Sequence, residues 1–166
     1  MGHRVPHHAS KCCNVHGHEI KVEATVSGPL VSEGTAEPDE GMVLDFGDVK
    51  AALQDIEKYL DHRFIMAASD MELATVLDLH IDDSTRFRNE IGWTYFVKGF
   101  GWIQEMQSVP TAENLAKLCF DLLSSRLNKS QTIQNPTDPA LSWISTVRVE
   151  SVRFWETPHS VAEYSR

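Results

Sequence analysis

From Glu19 to Ser27 the chain alternates: Ile20, Val22, Ala24 and Val26 are apolar, and Glu19, Lys21, Glu23, Thr25 and Ser27 are polar or charged. A period of two puts the first set on one face of a β-strand and the second on the other. The segment therefore demands a sheet with one covered and one wet face. His16 and His18 share the parity of the apolar row, so two imidazoles point where the core lies. Imidazole is the commonest metal ligand among side chains, and a same-face pair is a natural half of a zinc site. Cys12, just upstream, adds a candidate acid/base group. The first twenty residues thus point to an enzyme.

Composition narrows the classes. At 166 residues, 42% hydrophobic and 23% charged, the chain has the make-up of one globular domain over 1–166. A net charge of -9 argues against a general nucleic-acid binder, which carries a basic stripe. No apolar run approaches the roughly 20 residues that span a bilayer, and Met1–His8 has no apolar signal core. The expectation is a cytoplasmic protein with neither nucleic acid nor membrane as partner. The three cysteines, Cys12, Cys13 and Cys119, do not read as a disulfide framework. Cys119 falls in an apolar helical pattern and reads as core. His7 and His8 read as a histidine-rich terminus rather than as ligands.

Along the chain, residues 19–28 predict a strand, Pro29–Glu40 an acidic connection, and Gly41–Phe46 the returning strand of a hairpin. Phe46, Val49, Leu53, Ile56 and Leu60 form one helical face, with Asp45 as N-cap and Leu60-Asp61-His62 at the C-terminal end. Ala67–Leu79 has helical composition, Asp78–Asn89 reads as irregular, and Trp93–Val97 as strand. A second helix starts at Thr111 and carries Leu115, Leu118, Cys119, Leu122 and Leu123; Asn128–Ala140 reads as a polar loop. In the last strand, about Ser142–Thr157, Val147 and Val149 have one parity and Val152, Phe154 and Glu156 the other. That switch predicts a β-bulge near Glu150-Ser151. It also sets a carboxylate, Glu156, on an apolar row, which is unfavourable without a partner. The element order is that of an α+β fold.

Six segments, in order, resemble the 6-pyruvoyltetrahydropterin synthase family, and within it the 6-carboxy-5,6,7,8-tetrahydropterin synthases of queuosine biosynthesis. They are His3-Arg4-Val5-Pro6, Cys12 with His16-Gly17-His18, Gly41–Phe46, Leu60-Asp61-His62, Pro110–Asn114, and Trp155–Tyr164. The resemblance implies the tunnelling fold: a four-stranded antiparallel sheet with two helices on one face, here with a truncated first strand. It implies a homo-oligomer, trimer or hexamer, with sites between subunits, so that Cys12 and Glu156 can come from different chains. It implies His3, His16 and His18 as ligands of a catalytic Zn2+, Cys12 as the base, Asp61 and His62 as a second acid/base unit, and Glu156 as the anchor of the pterin ring. Thr157 and Thr111 are implied as further ring contacts, with a helix N-cap an equal reading for Thr111. A register one residue off would exchange Cys12 and Cys13. The implied reaction is a lyase step: 7,8-dihydroneopterin triphosphate becomes 6-carboxy-5,6,7,8-tetrahydropterin with release of acetaldehyde and triphosphate. A pyruvoyl-forming synthase, a dihydroneopterin aldolase-like enzyme and a non-catalytic metal- or pterin-binding relative are the alternatives. Lys11, Arg4 and Arg63 are near enough in sequence to meet the triphosphate, and read equally as solvated charges.

Overall fold

The computed structural model describes residues 1–31, 38–79, 86–133 and 147–165, without the side chains of 128–133. It is an α+β arrangement of two sheets and three helices among the described residues. The alternating segment forms β3 (Lys21–Ser27), after two short strands, β1 (Gly2–His3) and β2 (His16–Gly17). Helix α1 (Phe46–Leu60) leads into β4 (Phe64–Ala67) and α2 (Met71–Val76). Strands β5 (Arg86–Arg88), β6 (Trp93–Val97) and β7 (Gly101–Met106) follow, then α3 (Ala112–Ile133), β8 (Arg148–Thr157) and β9 (Ser160–Ser165).

The expected four-stranded antiparallel sheet is replaced by a six-stranded mixed sheet, β2-β1-β4-β7-β6-β5, and a three-stranded antiparallel sheet, β3-β8-β9. Two parallel pairings make the large sheet mixed: β1 with β4 and β4 with β7. Strand β3 pairs with β8, not with Gly41–Phe46. Between the left-handed turn at Gly41 (φ 78°) and the Asp45 cap, only Met42, Val43 and Leu44 remain, and they join neither sheet. Val31 still donates to the Met42 carbonyl at 2.9 Å and closes the connection. The expected helix begins where its cap predicts, with the Asp45 carboxylate accepting from the Gly47 amide at 2.5 Å. Its buried residues are Ala52, Ile56 and Leu60, whereas Phe46, assigned to the same face from its spacing, is 89% exposed at the first turn.

The parity switch in the last strand is a bulge. Thr25 pairs with Ser151 and Val26 with Val149, leaving Glu150 as the extra residue. Beyond it, Val152 and Phe154 are fully buried against α3, whose inner face carries Leu115, Cys119, Phe120 and Leu123. The expected start of this strand at 142–146, and the loop after Ile133, lie outside the described residues; α3 itself runs on through 128–133. Strand β4 links the two layers. All four of its residues are buried. Ile65 joins the main core, while Phe64 and Met66 join a second cluster with Leu73 of α2 and Ile103 of β7.

The Asp45 cap generates a test. Asp45→Ala removes the acceptor for an orphan amide of α1 and is expected to lower stability by about 1 kcal/mol. For a chain of this size that is about 2–4 °C in Tm, read by thermal melting; an unchanged Tm contradicts the cap.

Candidate metal and pterin site

Three imidazoles meet where β1 and β2 pair. Gly2 is opposite Gly17 and His3 opposite His16. The ladder continues one step, with the Met1 amino group donating to the His18 carbonyl and the His18 amide donating to the Met1 carbonyl, each at 3.0 Å. The residue between the two histidines is glycine for a steric reason: a Cβ at Gly17 would stand 3.2 Å from the Met1 carbonyl oxygen. On its other edge β1 runs parallel to β4, His3 opposite Ile65, so His3 sits inside the sheet and is 1% exposed. Ring centroids are 4.6 Å apart for His3–His16, 5.3 Å for His3–His18 and 4.9 Å for His16–His18.

Hydrogen bonds fix the tautomers. His3 Nδ1 lies 2.7 Å from the Pro110 carbonyl oxygen, and His16 Nδ1 lies 2.7 Å from the Asn14 carbonyl oxygen. A carbonyl only accepts, so both Nδ1 atoms carry a proton, and it is the Nε2 atom of each ring that is placed to meet a metal. His3 Nε2 is buried and without a hydrogen-bond partner. Burial is the largest influence on His3 and lowers its basicity, outweighing the Pro110 bond and the nearby Glu156 carboxylate. The ring is thus held in the neutral, ligating form. One ligating nitrogen from each of the three residues lies within 4.8 Å of the others. Around a tetrahedral zinc such nitrogens stand about 3.3 Å apart, so a small closure of the three rings suffices. An orphaned buried lone pair among two further imidazoles fits a divalent cation.

Glu156 stands beside this group, its Oε1 3.7 Å from His3 Nε2 in the same chain. Two lone-pair atoms facing one another are favourable only with a cation or proton between them. A neutral His3 ring gives Glu156 no hydrogen bond at that distance, so His3 alone is not the partner that its place on an apolar row requires. Glu156 lies at a register shift between β8 and β9, where Trp155 pairs with Val161 and Thr157 with Ser160. The Thr157 hydroxyl accepts from the His159 amide at 3.2 Å in that turn.

Cys12 lies in a 3₁₀ turn, Lys11–Cys13, capped by Ser10, whose hydroxyl accepts from the Cys12 amide. The Cys12 carbonyl accepts from Val5 at 2.8 Å, which ties the thiol-bearing turn to the chain just after His3. Cys12 and Cys13 are both partly exposed. Cys119 is fully buried, and burial pushes its thiol up to about 12, so it is inert.

The remaining expected site residues divide. Thr111 is a helix cap, its hydroxyl accepting from the Asn114 amide at 3.3 Å, next to the Pro110 that holds His3. Asp61 caps α1 and His62 follows with φ 50°; their side chains are 59% and 95% exposed and 3.9 Å apart. Asp61 shares with His18 a cavity of about 420 Å³ between α1 and the start of β3, lined also by Lys50 and Glu57. Arg4 and Arg63, read in the sequence either as triphosphate contacts or as solvated charges, meet other groups: Arg4 pairs with Asp70 and Glu72, and Arg63 donates through Nε to the Lys58 carbonyl and lies over the Trp102 ring, with its Nη1 buried and unpartnered. Asn114 carries no expected role from its sequence context, yet its side-chain amide donates to the Val109 carbonyl at 2.9 Å and so steadies the turn that offers the Pro110 carbonyl. Its place in Pro110–Asn114 was the available signal.

Gly17→Ala tests the close approach of β1 and β2. The added methyl is expected to lower stability by about 1–3 kcal/mol and to weaken divalent-metal binding, read by urea unfolding and chelator competition. Unchanged values in both contradict the packing.

Comparison with known proteins follows the same lines. The 6-carboxy-5,6,7,8-tetrahydropterin synthase of Aquifex aeolicus is 32% identical over 155 residues, 93% of this chain and 76% of that one. Its namesake in Haemophilus influenzae is 30% identical over 171 aligned residues, 99% and 91% of the two chains. Among solved structures, an uncharacterized protein from Wolinella succinogenes matches with a TM-score of 0.73 at 27% identity, covering 99% of this chain and 92% of that one. A catalytic-residue mutant of 6-pyruvoyltetrahydropterin synthase from Plasmodium vivax matches at 0.59 and 16% identity, covering 99% and 88%, a likeness of fold. The sequence pattern of the 6-pyruvoyl tetrahydropterin synthase family matches residues 1–166, and the chain belongs to that family.

Proposed function

We propose that this chain is a zinc-dependent 6-carboxytetrahydropterin synthase, one domain over 1–166, acting in the cytoplasm in queuosine-type 7-deazaguanine biosynthesis. Its substrates are 7,8-dihydroneopterin triphosphate and one water, and its products are 6-carboxy-5,6,7,8-tetrahydropterin, acetaldehyde and triphosphate. The observation that carries the reading is the buried, unpartnered Nε2 of His3 facing His16 and His18. These three imidazoles would hold the zinc. When bound, zinc supplies Lewis acidity and a template for the substrate's side-chain hydroxyls.

The chain's own residues do the rest. Cys12, in the turn tied to Val5, takes a side-chain proton as thiolate. Glu156 accepts two adjacent N–H groups of the aminopyrimidine edge. That edge is at the far end of the bicycle from the reacting side chain, so this role requires the carboxylate to leave its place 3.7 Å from His3 Nε2. Thr157 and Thr111 border the ring. Asp61 and His62 pass protons to and from the substrate. In the trimer or hexamer proposed here, with sites between subunits, they serve a site shared by neighbouring chains.

The test is product analysis on the zinc-loaded protein. The 6-carboxy product with acetaldehyde is expected, and the pyruvoyl product overturns the assignment. Cys12→Ala is expected to lower turnover roughly 100- to 10,000-fold with zinc retained, and Cys13→Ala to leave it near the wild-type rate. The reverse result exchanges the two thiols.

A further inference from the structure

His3 is followed by Arg4, and Arg4 does not face solvent as a free charge. Its Nε donates to Asp70 Oδ2 at 2.6 Å and one terminal nitrogen to Asp70 Oδ1 at 2.5 Å, with a further donation to Glu72 at 3.2 Å. The side chain of Arg4 is 17% exposed and that of Asp70 is 2% exposed. A two-point fork of guanidinium on carboxylate with so little water is directional. Burial alone would raise the Asp70 carboxyl, but Arg4 brings it below its ordinary value, so the pair is ionised.

The acidic partner is itself fixed. Asp70 Oδ1 accepts from the Leu73 amide at 3.2 Å and caps α2, and the Asp70 amide donates to the Ala67 carbonyl at the end of β4. Strand β4 is the parallel partner of β1. Arg4 therefore bolts the exit of a two-residue strand to the exit of its neighbour. On one side of Arg4 is the ligand His3; on the other is Val5, which holds the Cys12 carbonyl.

We propose that Arg4 and Asp70 are a positioning pair that sets the metal-ligating His3 and the Cys12 turn in register with each other. The proposal rests on the metal-site reading above. Neither residue touches substrate in it; the pair acts through its neighbours. If Arg4 were displaced, His3 and Val5 would move together, which misplaces the ligand and the thiol at once.

The experiment uses the full chain in a Cys13→Ser background, with Arg4→Ala, Asp70→Asn and Glu72→Gln. Zinc affinity is measured by competition with a chromophoric chelator, and Cys12 placement by its alkylation rate with iodoacetamide at fixed pH. Thermal melting is followed in parallel, at temperatures where each variant is folded. Arg4→Ala and Asp70→Asn are expected to weaken zinc at least tenfold and to change the alkylation rate at least threefold. Glu72→Gln, at an exposed carboxylate, is expected to stay within twofold in both. If Arg4→Ala does not fold, Arg4→Lys keeps the charge without the fork and is expected to show the same two changes. Lower melting temperatures with both readouts within twofold of the parent make the pair merely structural and overturn the proposal. A parent protein that binds no zinc overturns the metal reading instead, and the alkylation rates still decide this one.

Discussion

The arrangement depends on one hydrogen bond, from His3 Nδ1 to the Pro110 carbonyl. It spans 107 residues of sequence and joins the first strand to the start of α3. Through it the ring is locked in one tautomer, and the opposite nitrogen is left buried with no protein partner. Such an atom is costly to bury unless something completes it. His16 and His18 converge on it from β2 and the residue after β2, and Glu156 from β8. The fold around this point is the means of holding it: β1 is wedged between β2 and β4, and β4 is buried along its whole length.

Residues with a clear period were legible in the sequence. The row Ile20, Val22, Ala24 and Val26 packs on the main core, and α1 starts at its predicted cap. The bulge at Glu150 was readable because one extra residue inverts parity, and Val152 and Phe154 record that inversion. Strand β6 was likewise readable from its aromatic and β-branched residues. The strands β4, β5 and β7 were not. Phe64–Ala67 is buried on both faces, so its apolar run has no period to read. Arg86–Arg88 is three residues long, and Gly101–Met106 mixes polar and apolar residues because Gln104 is buried in a hydrogen-bond network with Asn89 and Thr94.

The site was legible in part for a related reason. His16 and His18 announce themselves by parity, whereas the reason for Gly17 between them, the close approach of Met1, is seen only in the fold. The roles of Pro110, Asn114, Arg4 and Asp70 depend on contacts between residues far apart in the chain, which no local pattern encodes. Arg4 illustrates the difference. In sequence it is a cation near a site for a triphosphate; in the fold it is committed to a buried carboxylate.

If His3, His16 and His18 hold the metal with the Cys12 thiol outside its shell, X-ray absorption at the zinc edge of the loaded protein shows a first shell of light atoms only, about 2.0–2.1 Å from zinc, with imidazole scattering from three histidines. A sulfur neighbour at about 2.3 Å would make Cys12 or Cys13 a ligand and overturn that assignment.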